Sequence, residues 1–357
     1  MTPPLEGPVL VVGAGLLGTS IALALRRRDV GVAVRDVSRE HLRIASGLGA
    51  ANLDASDVRP RLVVVAVPPD ALAEQIAVAL RTTDAVVTDV GSVKCAPLEG
   101  ARQQVTAEQL TRYVGGHPMA GSERSGPMAA SAALFDGRPW AVAPHETATP
   151  EAVALVTALA EACGATAVGF TPEEHDEAVA RTSHLPHLVA ALVAGRLTEA
   201  PRAHLALSGQ GVRDVTRIAA GDPALWQQII DANTVALTRL LRDVRADVDT
   251  LLEALRDGDR GTLGALLDRG VQGTAVIPGK HGSPTGPLAS VFVAIPDHPG
   301  ELARLFSDAR DIGANIEDVR IDHDPAREYG LLEMSVAADT ADGLRDALED
   351  RGWTSHR

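Results

Sequence analysis

Val9-Leu-Val-Val-Gly-Ala-Gly-Leu-Leu-Gly-Thr-Ser20 decides how this chain is read. Four apolar residues run into Gly13, Gly15 and Gly18, spaced GxGxxG, and a helical apolar pattern opens behind them. In a β-α unit each glycine has a physical job. Gly13 permits the tight turn, Gly15 lets the main chain approach a pyrophosphate, and Gly18 lets helix and strand pack closely. Leu16 and Leu17 complete the opening turn of that helix. Asp36 ends the next expected strand. A carboxylate there accepts hydrogen bonds from the adenosine ribose hydroxyls and repels a 2′-phosphate, so NAD is expected over NADP. Arg35 and Arg39 flank it and pull the other way. Val65-Ala-Val-Pro-Pro69 ends a further strand, with Val67 and Pro68 where the chain skirts the nicotinamide side.

Outward from this motif, β-rich apolar runs alternate with helical patterns as far as residue 170. The expected strands are Val9–Val12, Val30–Arg35, Leu62–Val67, Ala85–Asp89, Tyr113–Gly115, Trp140–Pro144 and Thr166–Gly169. Several are continuous apolar runs, as a parallel sheet buried on both faces requires. Helices are expected over Leu16–Arg28, Ser38–Leu48, Asp70–Leu80 and Pro150–Cys163. The alternation predicts an α/β, Rossmann-type doubly wound sheet over residues 1–170.

At Thr171-Pro-Glu-Glu174 the texture changes. Thr171 is placed as a helix cap, Pro172 in the first turn, and the acids complement the helix dipole. From there to residue 277 an all-helical domain is expected. Its longest apolar stripe is Leu237, Leu240, Leu241, Val244, Val248, Leu251, Leu252 and Leu255, either a core face or a dimer seam. Pro278-Gly-Lys-His-Gly-Ser-Pro-Thr-Gly-Pro287 is an exposed linker. The remaining residues, 288–357, form a small α+β module: strands Ser290–Ile295, Ile316–His323 and Tyr329–Ala337, helices Gly300–Ile312 and Ala341–Arg351, with further strands left open. It holds 15 acids against 7 arginines, more than half of the chain's net charge of −14.

Composition narrows the function. At 357 residues the chain has room for two or three domains, and 45% apolar with 22% charged residues is an ordinary globular balance. The net charge of −14 would repel a phosphate backbone, so nucleic acid is excluded as a partner. Cys95 and Cys163 cannot make a disulfide framework and fit a reducing cytoplasm. Met1-Thr-Pro-Pro-Leu-Glu-Gly-Pro8 has no basic leader, and no apolar run approaches 18 residues, so neither secretion nor membrane insertion is expected.

Two clusters carry chemistry. Gly115-Gly-His-Pro-Met-Ala-Gly-Ser-Glu-Arg-Ser-Gly126 sets His117, Ser122 and Glu123 among glycines at the carboxyl end of a strand, where open α/β sheets bind ligands. A neutral imidazole at His117 can take a proton from a hydroxyl while hydride leaves the same carbon. In Asp89-Val-Gly-Ser-Val-Lys94, Ser92 either hydrogen-bonds that imidazole or the substrate, or caps a helix. The second cluster joins Thr182-Ser-His-Leu-Pro-His187 to Gly211-Val-Arg-Asp-Val-Thr-Arg-Ile-Ala219. Arg213 and Arg217 share a helical face, and Asp214 is spaced to orient Arg217. An arginine buried in a crevice offers a two-pronged clamp for a carboxylate. His184 and His187 lack a third ligand, so no metal is expected.

Together these residues resemble the prephenate dehydrogenase family with a C-terminal ACT domain. The resemblance rests on Gly13–Gly18, Asp89–Lys94, Gly116-His-Pro-Met-Ala-Gly121, Ser183-His-Leu-Pro-His187, and Asp214–Ile218 followed by Asp222-Pro-Ala-Leu-Trp226. It implies NAD-dependent oxidative decarboxylation of prephenate to 4-hydroxyphenylpyruvate, with arogenate as the rival substrate and a non-catalytic amino-acid sensor as the distant one. By resemblance His117 draws the proton of the C4 hydroxyl, Ser92 orients His117 or the hydroxyl, and Arg217 clamps a substrate carboxylate. His184, Ser122 and Glu123 then line the pocket. The resemblance also implies a homodimer formed by the helical domain, with Trp226 approaching the partner's site. Ala294-Ile-Pro-Asp-His-Pro-Gly-Glu-Leu-Ala-Arg-Leu-Phe306 and Gly313-Ala-Asn-Ile-Glu-Asp-Val-Arg320 resemble the ACT signature. Asp297, His298, Pro299, Gly300, Asn315 and Ile316 are its expected regulatory residues, with L-tyrosine as effector; a dimerisation module without ligand is the other reading.

Overall fold

The computed structural model describes residue 5 and residues 7–120, 126–277, 288–323 and 329–357. The chain divides into two compact units, Met1–Glu253 and Ala254–Arg357.

The first unit opens with four parallel strands. β1 (Val9–Val12) lies between β2 (Val32–Arg35) and β3 (Leu62–Val65), and β4 (Val86–Asp89) adds beyond β3, giving the order β2-β1-β3-β4. Val63, Val64 and Val65 are fully buried. The crossovers are α1 (Leu16–Arg26), α2 (Arg39–Gly47) and α3 (Pro69–Thr82). Ser38 caps α2 by accepting from the His41 amide at 3.2 Å. Because β2 lies to one side of β1 and β3 to the other, the sheet's switch point falls between β1 and β3.

After α4 (Cys95–Arg102) and the short α5 (Ala107–Leu110) come β5 (Gly115–Pro118), β6 (Pro139–Ala143), α6 (Pro150–Ala162) and β7 (Thr166–Gly169). A parallel bridge between Val87 and Tyr113 ties this part to β4. β6 runs antiparallel to β5, whereas β7 is parallel to β6. The parallel expectation fails here for a topological reason. A parallel neighbour needs a crossover helix, and between β5 and β6 the described residues supply only a 3₁₀ turn, Pro127–Ala129. The expected strand at Tyr113–Gly115 also starts later, at Gly115, because its partner β6 pairs His117 with Ala141 and Pro118 with Trp140.

The described residues from 171 to 277 contain no strand. α7 (Pro172–Val179) begins at a capping box between Thr171 and Glu174, passes through a π-helical turn at Ala180–His184, and continues as α8 (Leu185–Leu197). α9 (Arg202–Leu205), α10 (Gln210–Thr216), a 3₁₀ turn at Arg217–Ala220, α11 (Pro223–Ala232) and α12 (Thr234–Asp257) follow. The apolar stripe of α12 divides: Leu237 and Leu240 are buried, whereas Val248, Leu252 and Leu255 stand 48%, 59% and 60% exposed.

The second unit holds α13 (Arg260–Ala275), then β8 (Leu288–Pro296), α14 (Glu301–Ile312), β9 (Asp318–His323), β10 (Tyr329–Ala337), α15 (Ala341–Glu349) and β11 (Thr354–His356). All pairings among the four strands are antiparallel, in the order β11-β8-β10-β9. This β-α-β-β-α-β arrangement is ferredoxin-like. Leu332, Met334 and Val336 alternate into a core with Val291, Val293, Leu305, Leu344, Leu348 and Trp353. β11 completes the strand count that the sequence pattern left open. The expected linker, Pro278–Pro287, lies outside the described residues. No helix among the described residues is long and apolar enough to cross a membrane.

Candidate functional site

A cavity of about 530 Å³ opens at the switch point between β1 and β3. Gly13, Gly15, Asp36, Val67 and Pro68 line it, with Arg35, Ser38, His41 and Gln75. Gly13 has φ +107°, and a Cβ there would run into the Ala66 carbonyl. Gly18 faces the Gly13 carbonyl with no room for a side chain. Leu16, Leu17 and Gly18 sit in the first turn of α1 outside the cavity lining, so they shape the turn from behind. The Asp36 carboxylate accepts from the amides of Ala14 and Ser38, each at 2.6 Å. The glycine turn is thereby tied to the tip of β2. Arg35 is turned toward the Ala55 carbonyl, to which it donates at 3.0 Å. This glycine cradle fits the pyrophosphate of a dinucleotide.

A network of buried polar groups lies beside the carboxyl ends of β4 and β5. The Lys94 ammonium, 1% exposed, pairs with the Asp89 carboxylate and donates to the Gly116 carbonyl at 2.6 Å. Asp89 also accepts from the Tyr113 hydroxyl at 2.8 Å and the Gly91 amide at 2.9 Å. These contacts fix the strand that carries His117. A Cβ on Gly116 would close to 2.8 Å from the Asp89 carbonyl, so the approach depends on glycine.

The His117 ring places Nδ1 3.0 Å from Nε2 of His175, and His175 Nδ1 lies 2.8 Å from Asp176 Oδ1. Asp176 accepts in addition from the amides of Lys94 at 2.7 Å and Cys95 at 2.9 Å, at the start of α4. Burial raises the Asp176 carboxyl, but the bonds from His175, Cys95 and Lys94 outweigh it and hold the group below the usual carboxylate range. Burial, then His175, Lys94 and His184, push His117 well below an ordinary imidazole. It is therefore neutral near pH 7. Burial brings His184 down to about 4, against the pull of Asp176. Asn233, at the end of α11, donates to the Asp176 main-chain carbonyl at 2.8 Å and approaches His184 Nδ1 at 3.2 Å.

Other expected residues fall differently. Ser92 lies in the β4–α4 loop, half-buried, and the His117 Nδ1 partner is His175 instead. Ser92 is not the helix cap either, since α4 begins behind Lys94. Ser122 and Glu123 lie outside the described residues. Arg217 is exposed, not buried in a crevice. It opens the 3₁₀ turn after α10, so Arg213 and Arg217 do not share one α-helix. Asp214 is exposed and accepts from Gln210 Nε2 at 2.9 Å. Trp226 stacks on His187 of its own chain, with ring centroids 3.5 Å apart, and meets the His184 ring edge-on at 6.1 Å.

In the second unit Asp297, His298, Pro299 and Gly300 form the exposed turn into α14, and Gly300 takes φ +97°. Asn315 donates to Glu317 at 2.6 Å, and Ile316 packs on the module's core. Motif reading missed His175, Asp176, Asn233 and the Asp89–Lys94 pair as parts of the network. One signal was present: Lys94 is one of two lysines among 33 basic residues, and a compact ammonium fits where a guanidinium does not.

Two family profiles match in tandem: the nucleotide-binding domain of prephenate dehydrogenase over residues 21–169, and its dimerization domain over residues 171–269. A probable prephenate dehydrogenase of Streptomyces niveus is 36% identical over 361 residues, spanning 97% of this chain and 99% of its own. The crystal structure of Aquifex aeolicus prephenate dehydrogenase with hydroxyphenyl propionate and NAD+ superposes with a TM-score of 0.68 at 27% identity, covering 78% of this chain and all of that one. Synechocystis arogenate dehydrogenase gives a TM-score of 0.65 at 28% identity, covering 75% and 100%. The chain belongs to the prephenate dehydrogenase family.

Proposed function

We propose that the chain oxidises and decarboxylates prephenate to 4-hydroxyphenylpyruvate, with His117 as the general base. The observation that carries this reading is a neutral imidazole on β5, tied through Lys94 and Asp89 to the end of β4, a strand of the sheet that carries the glycine cradle. NAD held by Gly13, Gly15 and Asp36 supplies the acceptor for the hydride leaving C4 of the substrate. His117 takes the proton of the C4 hydroxyl as that carbon becomes a carbonyl. Loss of the ring carboxylate as carbon dioxide then leaves its electron pair in the ring, which becomes aromatic, and the phenolate oxygen regains a proton. Arg217 offers a fork for a substrate carboxylate, and His184, Ser92, Ser122 and Glu123 complete the pocket in this reading. Arogenate is the second reading, favoured by the likeness to the Synechocystis enzyme.

The test compares wild type and His117→Asn on both substrates. Wild type is expected to prefer prephenate, with kcat/KM declining in acid only below the ordinary histidine value of 6.5, because the active form is the deprotonated ring. The variant should lose about 10²–10⁴-fold in turnover at unchanged NAD affinity. Turnover above half of wild type removes His117 from the chemistry.

We also infer a cytoplasmic homodimer regulated by its C-terminal module. The exposed residues Val248 and Leu252 on α12 supply an apolar face for a second copy, within a matched dimerization domain. The main-chain amides of the Asp297–Gly300 turn, at the start of a 12-residue helix, suit the carboxylate of L-tyrosine. Tyrosine should inhibit the full chain about 5–150-fold, and not a chain ending near residue 286, with both sedimenting as dimers. Equal inhibition of both overturns regulation through the module, and a monomeric full chain overturns the dimer.

A further inference from the structure

We infer that the fold holds two histidines of this site in opposite tautomers: His175 and Asp176 keep the proton of His117 on Nδ1, while Asn233 keeps that of His184 on Nε2. The inference rests on the reading of His117 as the base and adds the residues that make it one.

The Asp176 carboxylate receives the amides of Lys94 and Cys95 as well as His175 Nδ1, at 2.7, 2.9 and 2.8 Å. An ionised carboxylate only accepts, so His175 Nδ1 carries a proton. With that as its one proton, the ring presents a lone pair at Nε2. His117 Nδ1 lies 3.0 Å from that lone pair. Two lone pairs do not face each other at this distance, so His117 donates from Nδ1 and its own lone pair is on Nε2. That is the tautomer a base needs.

The second tautomer is set by the Asn233 amide. The Asp176 main-chain carbonyl only accepts, and it lies 2.8 Å from Asn233 Nδ2, which fixes which end of that amide is nitrogen. The same NH₂ group is 3.2 Å from His184 Nδ1. His184 therefore accepts at Nδ1 and carries its proton on Nε2. One ring is set to take a hydrogen and the other to give one. Both restraints meet in Asp176, whose carboxylate governs His117 through His175 and whose carbonyl governs His184 through Asn233. His175, Asp176 and Asn233 are positioning residues in this scheme.

The test is nitrogen NMR of the full chain with labelled histidine rings, read beside kinetics. In wild type the His117 signals should show a protonated Nδ1 and the His184 signals a protonated Nε2. His175→Phe removes the acceptor, and kcat should fall about 10–100-fold at unchanged KM for NAD. His175→Gln restores an acceptor in its amide oxygen and should recover most of the loss. A wild-type His117 protonated on Nε2, as an imidazolium at His175 would require, overturns the proposal. So does equal turnover by the Phe and Gln variants. If either variant fails to fold, the wild-type spectrum still decides. The two readings separate cleanly: retained turnover in His117→Asn removes the base but leaves the spectrum to judge the tautomers. Lost turnover with the wrong tautomer removes the relay and leaves the base.

Discussion

The cofactor cavity lies on the four-stranded parallel sheet and His117 on the three-stranded one bridged to it, and the two sites are built from different material. The cavity is made mainly of backbone: a glycine turn without room for side chains at Gly13 and Gly18, and a carboxylate, Asp36, that holds two amides. The histidine network is made of side chains: Lys94, Asp89, Tyr113, His117, His175, Asp176 and Asn233, drawn from four stretches of chain and largely removed from water. A cradle of amides tolerates change around it, because its groups are present in every residue. A buried network of charges and rings does not, because each member satisfies another.

The sharpest test of this difference is Lys94→Met. It leaves the Asp89 carboxylate, fully buried, with only Tyr113 and main-chain amides for company. Removing one partner of a buried ion pair costs about 3–5 kcal/mol. The urea midpoint should fall accordingly, and the acid limb of kcat/KM should move upward, since Lys94 helps to hold His117 down. A midpoint within error of wild type would mean that the network is no more demanding than the cavity. Asp36→Ser probes the other side and should do less. The fold should survive, while the preference for NAD over NADP relaxes by about tenfold, the scale of one hydrogen bond to a charged group. Large destabilisation by this change, or an unchanged preference, would break the comparison from the cavity side.

The same difference explains what could be read from the amino acids alone. A backbone cradle has a local signature. The GxGxxG spacing, the acid at Asp36 and the limits of β1 and β7 were all legible, as were Thr171 and Pro172 at the start of α7. β5 was displaced because Gly-Gly-His-Pro carries little strand preference of its own; its pairing with β6 decides the matter. The orientation of β6 was hidden for the same reason. His117 stood out, being wrapped in glycines. Its partner His175 did not, since a His-Asp pair inside a helix looks like ordinary surface until tertiary packing buries it. Arg217 was read on an α-helical face, but the helix tightens to 3₁₀ at that residue and changes its direction.

Asp176 has one more consequence, and it concerns time. Its carboxylate caps α4, a helix made some eighty residues earlier, through the amides of Lys94 and Cys95. During synthesis the cavity's last lining residue, Gln75, is long out of the ribosome before Asp176 exists, and Asn233 comes later still. At about 5–20 residues per second the interval is several seconds or more. Through that interval the cradle's residues all exist, while α1 gains its core partners Trp140, Val156 and Leu159 and the start of α4 stays uncapped. The order of manufacture supplies every residue of the cofactor cradle before the last members of the histidine network.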